Sequence, residues 1–146
     1  MNQVEWKAIK HFSSREAWGD PSKISSTLVH ELDAFRELVG IPFIITCGTQ
    51  GVHVGDSYHY LGQAVDLVIP SASKETLFDI ALTAMRFTRF GGIGVYPDWQ
   101  YNGSSCGGLH LDVRSEPYRA QWLAVNIDGK QVYQQLNKAN IQKAGL

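Results

Sequence analysis

Between Asp20 and Gly40, apolar residues recur every three or four positions, the spacing that places them on one face of an α-helix. Charged residues, Glu31 among them, lie elsewhere on the same helix. Asp20 followed by Pro21 is typical of a helix start and Gly40 of a helix end, so the pattern predicts a helix over residues 22–39. Its apolar face consists of Ile24, Leu28, Leu32, Phe35 and Val39.

Helical spacing predicts three further helices. One follows Ser73, a predicted N-cap, and covers residues 74–88. Its apolar face consists of Leu77, Ile80, Ala81, Ala84 and Met85. Nearer the C-terminus, we predict a short helix over residues 118–125 and a final helix over residues 131–141, where fewer apolar positions support the pattern.

Four short apolar runs, each bounded by turn-forming residues, predict β-strands. They cover residues 41–47, 64–69, 91–97 and 109–114. The polar, glycine-containing stretches 52–63 and 98–108 are predicted to be loops, and Asp128-Gly129 is a turn signal. Together these elements predict a single α+β domain over residues 1–146, with helices packed against a small, mainly antiparallel sheet.

The composition of the chain is ordinary for a globular protein and narrows the possible partners. Apolar residues make up 44% and charged residues 18%, and the formal net charge is −1. This charge provides no general attraction to nucleic acid or to an anionic membrane surface. No stretch approaches the ~20 apolar residues of a membrane-spanning helix. The sequence does not determine the oligomeric state and is compatible with a monomer.

The two cysteines, Cys47 and Cys106, have no spacing typical of a cysteine-based zinc motif or a disulfide framework. Both flank segments that carry candidate site residues, so pairing between them stays open. Two buried, reduced thiols are the favoured interpretation, because small half-buried positions suit cysteine.

Polar and apolar residues alternate strictly in the last predicted strand. One face carries Leu109, Leu111 and Val113, and the other carries His110, Asp112 and Arg114. Three polar residues along one strand face are costly to bury, and a functional cleft explains them. His110 and Asp112 are expected roughly 6–7 Å apart, at ~3.3 Å per residue. This spacing suits one metal ligand and one group that either acts on the metal-bound water or orients the ligand.

Asp66 is the only charged residue of an otherwise apolar predicted strand, and a buried carboxylate rarely lacks a partner. His59 lies seven positions earlier, and Gly62 between them allows the loop to fold back toward Asp66. Taken alone, a histidine in such a loop is more often a surface residue. Two histidines and one carboxylate, however, are a ligand set of open, catalytic zinc sites. We therefore predict one zinc ion bound by His59, Asp66 and His110.

Three motifs in this order resemble the zinc peptidases related to D-alanyl-D-alanine carboxypeptidases, a family that includes phage L-alanyl-D-glutamate endopeptidases. They are Ser57-x-His59-x-x-Gly62-x-Ala64-Val65-Asp66, then Gly92-Ile93-Gly94-Val95-Tyr96-Pro97, then His110-x-Asp112-Val-Arg114. The resemblance covers residues 12–115 and leaves 116–146 as a C-terminal extension. It implies the same three zinc ligands and a metal-activated water that hydrolyses an amide bond in peptidoglycan stem peptides or cross-links.

The resemblance also suggests substrate contacts. Tyr96 or Arg114 is expected to hold the oxyanion or a substrate carboxylate, with a structural role as the alternative for either. Many family members carry Ser-Gly-Tyr-Arg after the first strand, and its arginine grips a substrate carboxylate. Here Gln50 occupies the position of that arginine and is the candidate contact. The missing arginine favours an endopeptidase over a carboxypeptidase.

The proton-handling group departs from the family pattern. Many members have a glutamate three positions before the second histidine, but this chain has Gly107 there. Asp112 is the best remaining carboxylate for a catalytic base, and His53 is a weaker substitute. Orientation of His110 is the alternative role for Asp112.

We therefore expect a zinc-dependent peptidoglycan peptidase, such as a phage or prophage lysin. The N-terminal residues show no secretory signal. We accordingly expect synthesis in the cytoplasm and action at the bacterial cell wall, after release by a holin or as part of a virion. The alternative is a non-catalytic, zinc-containing domain that binds wall peptide or serves as a virion component, and the missing glutamate favours it.

Overall fold

The computed structural model describes residues 3–50 and 57–144, and it contains three α-helices within those ranges. They are α1 (Ser26–Val39), α2 (Lys74–Phe87) and α3 (Lys138–Lys143). Two short 3-10 turns, Trp6–Ala8 and Pro21–Lys23, precede α1. None of the helices in these ranges is both long and apolar enough to cross a membrane.

Eight strands lie in the same part of the chain. They are β1 (Ile44–Cys47), β2 (Ala64–Val68), β3 (Gly92–Tyr96), β4 (Gln100–Tyr101), β5 (Ser104–Ser105), β6 (Gly108–Asp112), β7 (Ala120–Ile127) and β8 (Lys130–Gln135). Six of them form one sheet in the spatial order β1-β2-β6-β3-β7-β8, and β4 pairs with β5. Within the large sheet only β3 and β7 are parallel. The predicted α+β fold with a mainly antiparallel sheet is confirmed.

The hydrophobic core lies between one face of the large sheet and the two long helices. The sheet contributes Ile45, Val65, Leu67, Ile93, Val95, Leu109, Leu111 and Leu123, and the helices contribute Leu28, Leu32, Phe35, Leu77 and Ala81. Successive side chains of a strand point to opposite faces, so the residues between these positions lie on the other face. Asp66, His110 and Asp112 are among them, which keeps them away from the helix-covered core.

α1 begins later than the sequence pattern predicted. Asp20 does cap a helical turn, but that turn is the separate Pro21–Lys23. The N-cap of α1 is Ser25, whose hydroxyl accepts a hydrogen bond from the first turn of the helix. The Ser25 N–H donates to the carbonyl of Gly62 (2.8 Å). This tertiary hydrogen bond lies where the backbone is extended, at Ile24 and Ser25, between the Pro21–Lys23 turn and α1. The predicted end at Gly40 is confirmed by its left-handed backbone, with φ of 80°.

The helix predicted over 118–125 is wrong, and the helix predicted over 131–141 is correct only in its last residues. Most of 118–125 belongs to β7, and 131–141 is divided between β8 and α3. The predicted turn at Asp128-Gly129 is confirmed, with φ values of 51° and 78° that suit the two-residue hairpin joining β7 to β8. Pairing of β7 with β3 on one side and β8 on the other satisfies backbone groups that a helix would have satisfied locally.

The predicted loop 98–108 also contains strand structure. β4 and β5 form a small hairpin around Asn102 and Gly103, whose φ values are 51° and 80°. An Asn-Gly pair with this backbone is a common hairpin signal, and the prediction of a loop over 98–108 is wrong at these two strands. Of the predicted loop 52–63, the structure describes residues 57–63, where the chain turns back before β2.

Candidate metal centre

Asp66 on β2 and His110 on β6 lie directly opposite each other in an antiparallel pair. Opposite residues of such a pair point to the same face of the sheet. Asp66 Oδ1 is 3.1 Å from His110 Nδ1, and the two side chains are only 18% and 11% exposed. The strand register by itself therefore brings two of the three predicted zinc ligands into contact.

His59 reaches the same carboxylate from the tight turn that precedes β2. The turn is closed by a hydrogen bond from the Gly62 N–H to the His59 carbonyl (3.0 Å). Gly62 has a φ of 69°, and a β-carbon there would collide with the carbonyl of Lys23, so the position requires glycine. The turn leaves His59 Nε2 3.3 Å from Asp66 Oδ1. The predicted fold-back of this loop is confirmed.

The outer hydrogen bond of each imidazole determines which nitrogen faces Asp66. His59 Nδ1 lies 2.9 Å from the carbonyl oxygen of Gly48, which can only accept, so Nδ1 carries a proton. His110 Nε2 lies 2.8 Å from Asp112 Oδ2, and an ionised carboxylate also only accepts. In a neutral ring the other nitrogen is a lone-pair donor to a metal, and in both rings it points at Asp66 Oδ1. Metal-binding histidines commonly use this arrangement.

Two ring nitrogens and a carboxylate oxygen that converge in this way need positive charge between them. Burial lowers the pKa of His59, but hydrogen bonds with Asp66 and Cys47 and the charge of Asp66 raise it overall to about 9. Burial raises the pKa of Asp66, but hydrogen bonds with both histidines lower it overall to about 2. Burial also lowers the pKa of His110, but hydrogen bonds with Asp112 and Asp66 outweigh this effect and raise the pKa overall. Protons and a metal ion compete for such nitrogens, so the donor set fits a cation.

A third strand adds Cys47 to the cluster. The pairing of β1 with β2 slips at Thr46, where β1 advances by two residues while β2 advances by one, and Cys47 then lies opposite Asp66. A β-bulge of this kind re-aims the next side chain, here toward the face that carries Asp66. The ligand atoms of Cys47, His59 and Asp66 all lie within 4.8 Å of one another, and this group could hold a metal ion. His110 is outside this group of three and contacts it at Asp66 Oδ1 (3.1 Å).

Cys47 is the member of the cluster that the sequence did not reveal. Regular alternation would place Thr46, rather than Cys47, opposite Asp66, and no residue pattern marks the bulge. Thr46 is exposed instead, with its hydroxyl 3.3 Å from the backbone carbonyl of Asp66. Both cysteines are free thiols, as favoured from the sequence, and no disulfide joins Cys47 to Cys106. The expectation that both are buried is wrong, because each is only partly buried.

Asp112, the predicted catalytic base, is fully buried and held by Arg114. The guanidinium donates from Nε to Oδ1 (2.8 Å) and from a terminal nitrogen to Oδ2 (2.6 Å), and the Arg114 backbone N–H also donates to Oδ1 (3.2 Å). Burial opposes ionisation, but hydrogen bonds with Arg114 and His110 hold the pKa of Asp112 well below its usual range. Asp112 contacts the His110 nitrogen that faces away from Asp66. This geometry suits the alternative role, in which Asp112 orients His110.

Arg114, a predicted substrate contact, is largely engaged within the protein. Its guanidinium carbon lies 4.5 Å from the centre of the Tyr58 ring, in addition to the bonds with Asp112. Tyr58 in turn donates to Glu116 (2.8 Å). On the other side of the pair, Gly92 lies opposite Asp112, and a β-carbon at Gly92 would collide with the carboxylate. The surroundings therefore hold this ion pair on both sides.

Tyr96, another predicted substrate contact, lies on the same face of the sheet as the cluster. Its side chain is mostly buried and its ring stacks on Trp99, with ring centres 4.0 Å apart. The Tyr96 hydroxyl accepts a hydrogen bond from Trp122 Nε1 (3.0 Å), and Trp122 contacts the His110 ring at 5.1 Å between centres. Burial keeps the pKa of Tyr96 well above its ordinary value. The phenol therefore stays protonated and able to donate.

Gln50, the third predicted substrate contact, joins the segment after β1 to the N-terminal part of the chain. Its side-chain amide donates to the carbonyl of Ala17 (2.6 Å) and accepts from the Gly48 N–H (2.7 Å). This places Gln50 in the backbone turn that presents both Cys47 and the Gly48 carbonyl. The weaker base candidate, His53, lies outside the described residues.

Comparison with known proteins adds no assignment to this geometry. No protein-family model matches the chain, and a search of curated proteins finds no significant match. The likeness to zinc peptidases therefore depends on the three sequence motifs alone.

Proposed function

We propose that the protein is a zinc-dependent peptidoglycan peptidase, with endopeptidase activity favoured over carboxypeptidase activity. One observation carries the metal part of the proposal. His59 Nε2 and His110 Nδ1 lie 3.3 and 3.1 Å from the same Asp66 oxygen, while the opposite nitrogen of each ring is occupied by an acceptor. Nitrogen and oxygen donors in this combination suit zinc.

In this proposal His59, Asp66 and His110 hold the ion, which when bound would polarise the scissile carbonyl and activate water. The residues around them supply orientation. The Gly48 carbonyl fixes the His59 ring and Asp112 fixes the His110 ring, and Arg114 keeps Asp112 ionised. The protonated phenol of Tyr96, on the same sheet face, is the described candidate for a hydrogen bond to the developing oxyanion.

The substrate class follows from the motif resemblance described above, and Gln50 supports the choice of an endopeptidase. A carboxypeptidase must hold a free terminal carboxylate, which a fixed cationic side chain does well. Gln50 is uncharged and its amide is bonded to Ala17 and to Gly48. An internal amide of a wall cross-link carries no terminal carboxylate and makes no such demand. Action at the bacterial cell wall is part of the same proposal.

A specific observation favours a second candidate, a non-catalytic zinc domain that binds wall peptide. Asp112 is enclosed and bonded to Arg114 and His110, which leaves it poorly placed to shuttle protons to and from water. The sequence position that carries a glutamate in many related peptidases is Gly107. Binding requires only an intact metal centre, whereas hydrolysis requires a proton carrier as well.

Zinc analysis and wall digestion together test the proposal. We expect one zinc per chain, and loss of that zinc in His59→Ala and Asp66→Asn. His30→Ala, at an exposed histidine of α1, is the matched control and should keep the metal. Zinc retained by both site variants would overturn the ligand assignment.

Incubation of purified sacculi with the zinc-loaded protein identifies the activity. Mass spectrometry of released fragments should reveal a cleaved stem-peptide or cross-link amide, and His59→Ala should release none. Binding to sacculi without any released fragment would support the non-catalytic candidate and reject the peptidase.

A further inference from the structure

The segment that follows β1 positions both Cys47 and His59. The carbonyl of Gly48 accepts the hydrogen bond from His59 Nδ1 (2.9 Å). One residue earlier, the sulfur of Cys47 lies 3.2 Å from the carbonyl of Gln50, toward which the thiol can donate. The same short turn therefore orients a sulfur and an imidazole toward Asp66.

The bulge at Thr46 is more than a packing feature. Without it, regular pairing would place Cys47 opposite Val65, on the apolar face that packs against the helices. That face suits a thiol that serves only as a small hydrophobic group. The bulge interrupts the β1–β2 ladder and moves Cys47 to the polar face instead, within 4.8 Å of the donor atoms of His59 and Asp66. Bulges frequently re-aim side chains next to functional sites.

We infer that Cys47 is a fourth protein ligand of the metal, so that the resting centre is a closed Cys47–His59–Asp66–His110 site. This inference rests on the proposed metal function of the other three residues. Zinc accepts thiolate, imidazole and carboxylate donors and is usually four-coordinate. Three protein ligands leave a position for water, whereas four fill the tetrahedron. Cys47 therefore restricts access of water to the metal in the resting centre, and under the proposed function the sulfur must leave the metal before water can bind. Removal of the sulfur opens the centre.

Cobalt substitution reports on sulfur ligation without any assay of activity. Co²⁺ takes the place of zinc in such sites, and a thiolate ligand produces a charge-transfer absorption in the near ultraviolet that nitrogen and oxygen ligands do not. We expect this band in the wild-type protein titrated with Co²⁺, saturating at one ion per chain. We expect it also in Cys106→Ser, in which Cys47 is the one remaining cysteine.

Cys47→Ser is the test variant, and it should bind Co²⁺ without the charge-transfer band. Its zinc affinity, measured by competition with a chelating indicator, should fall by about tenfold or more. Cys106→Ser keeps Cys47, so a charge-transfer band in that variant assigns the sulfur ligand to Cys47. The inference therefore remains testable if Cys47→Ser does not fold. Absence of the band in Cys106→Ser at full cobalt occupancy would overturn it.

The outcomes separate this inference from the proposed function. One bound Co²⁺ without a sulfur band rejects Cys47 as a ligand and leaves the His59, Asp66 and His110 site intact. No specific cobalt or zinc binding rejects both. If the band is present, hydrolysis of sacculi per bound zinc should be higher in Cys47→Ser than in the wild type, because the centre is then open. A lower rate per bound zinc would reject the closed resting site.

Discussion

Replacement of Asp112 by alanine distinguishes a residue that orients His110 from one that transfers protons. The carboxylate accepts from Arg114 at 2.6 and 2.8 Å and contacts His110 at 2.8 Å, and it is fully buried. Its removal leaves the guanidinium without its main partner and releases the His110 ring. We therefore expect losses of stability and of zinc affinity, rather than a loss of turnover alone.

The size of the stability loss follows from the burial of the pair. Removal of one member of a buried ion pair costs about 3–5 kcal/mol. The Arg114 side chain is 18% exposed and can regain some hydration, so the lower end applies, about 3 kcal/mol. For a domain of this size, each kcal/mol lowers Tm by roughly 2–4 °C, which gives a fall of about 6–12 °C. Loss of the partner that orients a metal ligand lowers affinity by about 10–100-fold.

Denaturant unfolding of the chelated protein and zinc competition measure these two quantities separately. Arg114→Met should also destabilise, because it leaves the buried carboxylate unpaired, and the double variant should lose less than the sum of the single losses. Asp79→Ala, at an exposed aspartate of α2, is the matched control and should change stability by less than about 0.5 kcal/mol.

Turnover at saturating zinc completes the comparison. If Asp112 orients His110, excess zinc should restore much of the wall hydrolysis lost in Asp112→Ala. A variant with wild-type Tm and zinc affinity, but no hydrolysis at full occupancy, would refute this reasoning and assign Asp112 as the catalytic base.

Three further results are expected. Ser25→Ala should lower the free energy of unfolding by about 1 kcal/mol and Asp20→Ala by less, because Ser25 caps the long helix α1 and Asp20 only a three-residue turn. Equal losses for the two variants in denaturant unfolding would contradict the assigned helix start. In Gly92→Ala the new β-carbon should collide with the Asp112 carboxylate and lower the free energy of unfolding by about 1–3 kcal/mol. The displaced carboxylate should also weaken zinc binding in the chelator assay. Wild-type zinc affinity in this variant would argue that Asp112 does not orient His110. In the zinc-free protein the pKa of His59 is raised from 6.5 to about 9, so its contribution to stability is complete below pH 6.5 and is lost as the pH rises through 9. Unfolding free energies measured across that range should therefore fall with rising pH, and a flat profile would contradict the proximity of His59 to Asp66.

Local patterns were sufficient for much of the fold. The apolar faces of α1 and α2 repeat at helical spacing, Gly40 indicates the end of α1 and Ser73 the start of α2, so the sequence predicted the helix residues that pack on the sheet. Strict alternation placed His110 and Asp112 on one face of β6 and Leu109 and Leu111 on the other. Gly62 indicated the turn that returns His59 to Asp66. These features depend on residues close together in the chain, whose spacing alone determines which side chains share a face.

The C-terminal strands and the roles around the metal centre depended on partners distant in the chain. The few apolar residues after 117 suited a helix as well as a strand. Pairing of β7 with β3 determines that residues Ala120–Ile127 form a strand. The sequence placed Asp112 on the correct face, but its hydrogen bonds with Arg114 and its full burial favour a role in orienting His110. Cys47 joined the cluster only through the bulge at Thr46, because the register between two strands is set by their packing and cannot be read from either strand alone.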